Sequence, residues 1–211
     1  MTRVIAGAAG GRRLAVPPGQ STRPTSDRAR EGLFGTVLSE FGTLHGARVL
    51  DLYAGSGAVG LEALSRGAKS VLLVESDPRA AGVIRANIKA VGIGGAQVVT
   101  SRVKGCLAGP PRGTYDLVFA DPPYAVTTAE IIKVLTLLAG SGSGAAVEAG
   151  PVEAGPVEAV HGAKGWLADG ALVVVERATR SGPLDWPPGY SPGKTRRYGE
   201  ATFWYGWHSA A

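Results

Sequence analysis

The decapeptide DLYAGSGAVG, residues 51–60, decides the fold. Its glycines Gly55, Gly57 and Gly60 keep the G-x-G-x-x-G spacing with which a strand turns tightly into a helix beneath a ligand, and Glu75 follows at the distance from which a carboxylate reaches ribose hydroxyls. Working outward, the apolar runs ARVLDLY, SVLLVE, AQVVT, YDLVFAD and ALVVVE read as strands, and helical patterns occupy 59–66, 78–90 and 127–139 between them. Unbroken Val/Leu runs alternating with helices define an α/β class: a Rossmann-like, doubly wound, mostly parallel sheet with helices on both faces. Local punctuation agrees. Gly67 can end the first of these helices, Asp77 can cap the second with Pro78 in its first turn, and Thr127 with Glu130 forms a capping box for the third.

The two ends depart from the alternation. RVIA and RRLAV, separated by GAAGG, predict a small hairpin, and Thr25 or Ser26 is placed to cap a helix running to about Phe41. Ala29, Leu33, Val37 and Phe41 form its docking stripe. At the other end RRYGEATFWYGW predicts a final strand pair around Gly199. Between Ala139 and Trp166 the pentad GPVEA occurs twice in tandem. So much Gly, Pro and Ala offers little apolar surface to bury, which predicts a mobile excursion without a catalytic role.

Composition bounds the class. A chain of 211 residues, 45% hydrophobic and 18% charged, suits one main globular domain. No apolar run reaches the roughly 18 residues of a membrane span, and arginines interrupt the N-terminus before a signal-like segment develops. The expectation is a cytoplasmic, monomeric protein without a membrane association. Cys106 is the lone cysteine, and His45, His161 and His208 lie far apart, so no metal site is expected and all four read as packing or surface residues. The net charge of +5 is unevenly spread. Six arginines face only Asp27 in residues 1–30, and five basic residues face two acidic ones in 177–211. Two basic ends around a net negative centre fit a ligand-binding body with margins that grip a polyanion, although solvated faces produce the same pattern.

In a doubly wound sheet, ligands bind outside the carboxyl ends of the strands. Asp51, Glu75 and the sequence DPPY, Asp121 to Tyr124, all fall at such ends and should share one crevice. Beside the two negative charges of a pyrophosphate, Asp51 would add repulsion of several kcal/mol at an effective dielectric near 20. S-adenosylmethionine carries no phosphate and brings a sulfonium and an ammonium, which a carboxylate favours. DPPY adds a second requirement. An exocyclic amine is a poor nucleophile until its lone pair is oriented and its developing charge stabilised. Asp121 and the Pro122 carbonyl offer two acceptors for two N–H groups, Pro122 and Pro123 fix the backbone so that they converge, and Tyr124 can stack on a base. A strand that merely ends in a Pro-Pro turn is the competing reading of DPPY alone.

These motifs in this order resemble the class I S-adenosylmethionine-dependent amino-methyltransferases. More narrowly, the chain is similar to the bacterial 16S rRNA guanine-N2 methyltransferases, through RVIAGAAGGRRL (3–14), RPTSDRAREGLF (23–34), DLYAGSGAVGLEALSRGA (51–68), VESD (74–77) and FADPPY (119–124). The similarity resumes at WLADGALVVVE and weakly at KTRRYGEATFWY. It implies cofactor contacts at Asp51, Tyr53, Gly55, Gly57, Glu75 and Ser76, with Arg102 and Val103 beside the adenine. It implies that Asp121, Pro122, Pro123 and Tyr124 form the target-base site. The TSRVKG stretch departs from relatives that carry an acidic side chain there, which leaves the adenine to backbone and apolar contact. The basic ends gain a use: Arg3, Arg12, Arg13, Arg23, Arg28, Lys194, Arg196 and Arg197, with Tyr198, would hold phosphates of 16S rRNA within an assembled or assembling small ribosomal subunit. The resemblance also implies a division into an rRNA-contacting extension at 1–42 and a methyltransferase domain at 43–211 that carries the insertion at about 140–165.

Other readings stay open on sequence alone. A DNA adenine-N6 or protein glutamine methyltransferase would share the glycine loop and a DPPY-like motif, and only RPTSDRARE speaks against them. An NAD-dependent dehydrogenase would share the loop, and a non-catalytic RNA-binding module the basic ends.

Overall fold

The computed structural model describes residues 2–18, 27–140 and 165–209. Arg23, the cap candidates Thr25 and Ser26, His161 and nearly all of the GPVEA-containing insertion lie outside the described residues. A two-stranded antiparallel ribbon, β1 (Thr2–Arg3) and β2 (Arg13–Leu14), precedes helix α1 (Asp27–Phe41). Then come β3 (Arg48–Leu52), α2 (Ala58–Ser65), β4 (Ser70–Glu75), α3 (Pro78–Val91), β5 (Ala96–Thr100), α4 (Val103–Ala108), β6 (Tyr115–Ala120) and α5 (Thr128–Ala139). The chain closes with β7 (Leu167–Ala178), a single 3-10 turn at Thr179–Ser181, β8 (Tyr190–Tyr198) and β9 (Ala201–His208).

The main sheet has the order β5-β4-β3-β6-β7-β9-β8. Strands β3 to β7 pair in parallel, and the terminal pair adds two antiparallel strands. The chain order reverses between β3 and β6, which makes the crevice above that pair the expected ligand position. Alternating side chains of each parallel strand feed two cores. On one face Val49, Leu73, Phe119 and Val174 pack with Leu33, Phe34 and Val37 of α1, Leu61 of α2 and Ile84 of α3. On the other face Leu50, Leu72, Val118 and Val173 pack with α4, α5 and Trp166. The predicted strands and three helices all form, with Asp77 accepting from Arg79 N–H and the Thr127–Glu130 box closed in both directions. Helix α4 falls in a stretch to which the sequence pattern assigns no element. Its six residues are too few for a strong periodic signal, although Val103, Cys106 and Leu107 are its buried side chains.

The N-terminal ribbon is built into the body. Fully buried Glu62 on α2 accepts from Ile5 N–H at 2.6 Å and Ala6 N–H at 3.0 Å, and also bonds Arg66 Nε at 2.7 Å. Ser65 Oγ accepts from Ala9 N–H at 2.9 Å, and Asn87 of α3 bonds both backbone groups of Ala15. Gly7, at φ +83°, passes so close to the Ser65 carbonyl that a Cβ would sit 1.8 Å from its oxygen. At the far end of the sheet from the crevice, Trp166 N–H donates to the Leu138 carbonyl at 2.9 Å and Gly165 lies against Ala139 and Gly140. The chain thus re-enters the fold beside the point where α5 ends.

Candidate active site

The 51–60 loop leaves β3 through Tyr53, whose φ of 61° lies in the left-handed region, followed by Gly55 at 57° and Gly57 at 77°. Tyr53 is the one non-glycine residue at positive φ among the described residues, and a bulky side chain there is strained. Two acidic groups hold this shape. Glu75 ends β4 and turns both oxygens to backbone amides: Oε2 accepts from Gly55 N–H and Oε1 from Asp77 N–H, each at 2.8 Å. Asp51, only 4% exposed, accepts from Gly60 N–H at 2.8 Å in the first turn of α2. A Cβ on Gly60 would approach Val71, Asp51 and Leu73 at 2.9–3.0 Å. The third glycine therefore serves helix-to-strand packing, while the first two shape the turn.

Asp121 follows β6, next to β3. The register that pairs Ala120 with Val175 puts Glu176 of β7 beside it, and alternation along β3, β6 and β7 turns Asp51, Asp121 and Glu176 to the same side of the sheet. Asp121 keeps solvent access but is recessed among surrounding chain. That enclosure raises its carboxyl well above the usual range, and the negative charges of Glu176 and Asp51 push the same way. Burial lifts Asp51 to about 7; the Gly60 N–H opposes the shift and Glu75 adds to it. Pro122 is buried beneath the turn, Pro123 and Tyr124 face solvent, and Val126 N–H closes onto the Pro123 carbonyl at 2.8 Å. Among the described residues Tyr124, 64% exposed, is the one large apolar side chain left open.

The expected cofactor-side and target-side residues thus meet at one end of three adjacent strands. Ser76 is exposed directly after Glu75; Arg102 caps α4 from an exposed position; Val103 is buried in its first turn, near where Ser101 N–H bonds the Glu75 carbonyl. Glu176 was missed by sequence reasoning, although it ends ALVVVE just as Glu75 ends SVLLVE. The expected phosphate-gripping residues are less uniform. Arg13, Arg28 and Arg196 are exposed. Arg3 pairs with Asp27 at 3.4 Å, Arg12 donates to the Ala90 carbonyl at 2.6 Å, Lys194 pairs with Glu40, and Arg197 Nε donates to the Gly199 carbonyl. Tyr198 packs its ring on Gly32 of α1 and, at 5.6 Å, against Phe203, which makes it a docking side chain between the two basic ends. His45 is exposed, while His208 and Cys106 are buried. Among the described residues no cluster of His, Cys, Asp or Glu could hold a metal ion, and no helix is long and apolar enough to cross a membrane.

The architecture is that of the Rossmann-like methyltransferases. Superposition on the solved structure of yhhF from Escherichia coli gives a TM-score of 0.77 at 30% identity, covering 99% of this chain and 98% of that one. The Thermus thermophilus protein TTHA0928 gives 0.71 at 29% identity over 97% of this chain and 98% of that one. Residues 2–148 match the family described as conserved hypothetical protein 95. Over 189 residues, 87% of the chain is 35% identical to 80% of the ribosomal RNA small subunit methyltransferase D of E. coli K12. The namesake protein of Haemophilus influenzae is 37% identical over 131 residues, 61% of this chain and 66% of that protein. The chain belongs to this family, as its motifs imply.

Proposed function

We propose that the protein transfers a methyl group from S-adenosylmethionine to the exocyclic N2 of a guanine in 16S rRNA of the small ribosomal subunit. The observation that carries this reading is the meeting of the Glu75-braced glycine loop with DPPY at the β3/β6 reversal. The donor set suits this cofactor: Asp51, Asp121 and Glu176 make the crevice acidic, which repels a pyrophosphate and favours a cation. Glu75 retains lone pairs for ribose hydroxyls beyond its two amide bonds. Arg102 and Val103 border the adenine position. When bound, S-adenosylmethionine supplies an electrophilic methyl on a cationic sulfur.

The remaining work falls to the chain. Asp121 and the Pro122 carbonyl accept the two N–H groups of the guanine amine and so aim its lone pair across the crevice. Positive charge developing on that nitrogen is stabilised by the Asp121 carboxylate, with Glu176 and Asp51 behind it. The raised affinity of Asp121 for protons suits it to take the one released after transfer. Tyr124 stacks on the unstacked base, and the exposed arginines at the two ends of the chain hold the backbone without choosing the base. The relatives' names support rRNA as the substrate class, and the RPTSDRARE stretch the narrower family.

The test is transfer of labelled methyl to unmodified small subunits, free 16S rRNA and duplex DNA, with the product nucleotide mapped by mass spectrometry. N2-methylguanine in rRNA is expected; N6-methyladenine or labelled DNA would overturn the assignment. Asp121→Ala should lower turnover at least about 100-fold while cofactor binding, read by calorimetry, persists.

A further inference from the structure

The β7–β8 connection carries a feature that the resemblance did not assign. Arg177, 7% exposed, points its guanidinium into this connection and donates to three consecutive carbonyls, Ser181 at 3.2 Å, Gly182 at 3.4 Å and Pro183 at 3.0 Å. The same guanidinium donates to Thr128 Oγ1 at 2.6 Å. Thr128 opens α5, directly after the loop that contains DPPY. One buried cation therefore ties the connection and the DPPY loop into a single unit, and Leu184 anchors the connection in the core below. On that fixed connection stands Arg180. It is exposed, and its guanidinium carbon lies over the Tyr124 ring, 5.9 Å from the centroid.

We propose that Arg180 is a target-side RNA-positioning residue: it rests on one face of Tyr124 and contributes its N–H fork to a phosphate of the nucleotide whose base stacks on the other. The placement supports both parts. A guanidinium over a tyrosine ring is held by the ring's negative face, so its planar donors are already oriented when a phosphate arrives. An exposed aromatic ring with one face covered by a cation leaves a single face for a base, which defines the side from which the nucleotide enters. Arg177 explains why this is a built arrangement. Three carbonyl bonds and the Thr128 bond fix the backbone on which Arg180 sits relative to the loop on which Tyr124 sits.

This proposal rests on the rRNA reading, and one experiment separates their failures. Methyl transfer to small subunits is measured for the wild type, Arg180→Ala, Arg180→Gln and Arg180→Lys across a salt series. Arg180→Ala and Arg180→Gln should raise KM roughly three- to tenfold, with a smaller change in kcat. The slope of log affinity against log salt should fall by about 0.7 to 0.9, one phosphate contact. Arg180→Lys should restore the slope, because it keeps the charge, but recover only part of the KM loss, because it lacks the planar fork. Calorimetric cofactor binding identifies the variants that are folded, and the exposed position makes two folded substitutions the expectation. A wild type active on rRNA with unchanged KM and slope in folded Arg180→Ala and Arg180→Gln overturns the role of Arg180 alone. A wild type that transfers no methyl to rRNA overturns both.

Discussion

Asp51 has two roles that conflict. Its carboxylate braces the first turn of α2 through Gly60 N–H, and its burial at 4% exposure makes the charged form costly, hence the shift from 3.8 to about 7. The folded state therefore binds this proton more tightly than the unfolded chain. Its contribution to stability is largest below pH 4 and is lost as pH rises from about 4 to 7. Asn in its place can still accept from Gly60 N–H. Asp51→Asn should thus flatten the pH dependence in that window and stabilise the protein at pH 8 by at most about 4 kcal/mol. Urea unfolding at pH 4 and pH 8 reads both; equal wild-type stability at the two pH values would contradict the assignment. At Asp121 the same physics bears on rate. In the proposed transfer the carboxylate must be deprotonated to accept the amine, so kcat/KM should climb with pH through the raised pKa. Removing the negative neighbour in Glu176→Gln should move that acidic limb to lower pH, and an unmoved limb would mean that Glu176 does not act on Asp121.

At the scale of elements, the N-terminal ribbon is held by Glu62 and Ser65 of α2, by Asn87 of α3 and by the close approach at Gly7. Glu62, itself fully buried, carries two amide bonds and the ion pair to Arg66. Glu62→Ala should destabilise the protein by about 3 kcal/mol or more, because Ile5 and Ala6 lose their acceptor while Arg66 and the nearby buried Arg30 lose a counter-charge. Gly7→Ala combines an unfavourable left-handed φ with a collision on the Ser65 carbonyl. It should free residues 2–14 for fast amide exchange while the sheet stays protected. A ribbon that remains protected in both variants would refute this account of its docking. The ribbon also marks the limit of sequence reading. The parallel strands were legible because burial on both faces leaves unbroken Val/Leu runs, and helices α3 and α5 because Asp77, Pro78, Thr127 and Glu130 punctuate them. The ribbon's strands contract to two residues each because Glu62, Ser65 and Asn87 take backbone groups that a longer ladder would have used. Those partners lie 56 to 72 positions away, beyond any local pattern. Glu75 and DPPY were visible at strand ends, whereas Glu176 needed the register that pairs Ala120 with Val175.

Across the whole molecule, the crevice and the two residues that flank the insertion, Gly140 and Gly165, lie at opposite ends. Strand β6 spans about 20 Å from its start near Trp166 to Asp121, and Gly165 meets Ala139 and Gly140 at the end of the fold where β6 starts. Joining Gly140 to Gly165 through a short Gly-Ser link should leave methyl transfer within about twofold of the full chain, since closing a loop between adjacent ends depends only weakly on its length. A loss of activity beyond tenfold with an unchanged melting temperature would instead give the segment a part in the reaction. The bond from Trp166 N–H to the Leu138 carbonyl, 2.9 Å long, thereby acquires a practical meaning. It closes the fold where Gly140 leaves and Gly165 returns, so a fluorescent reporter or an affinity tag spliced between those two residues should leave the crevice and its chemistry untouched.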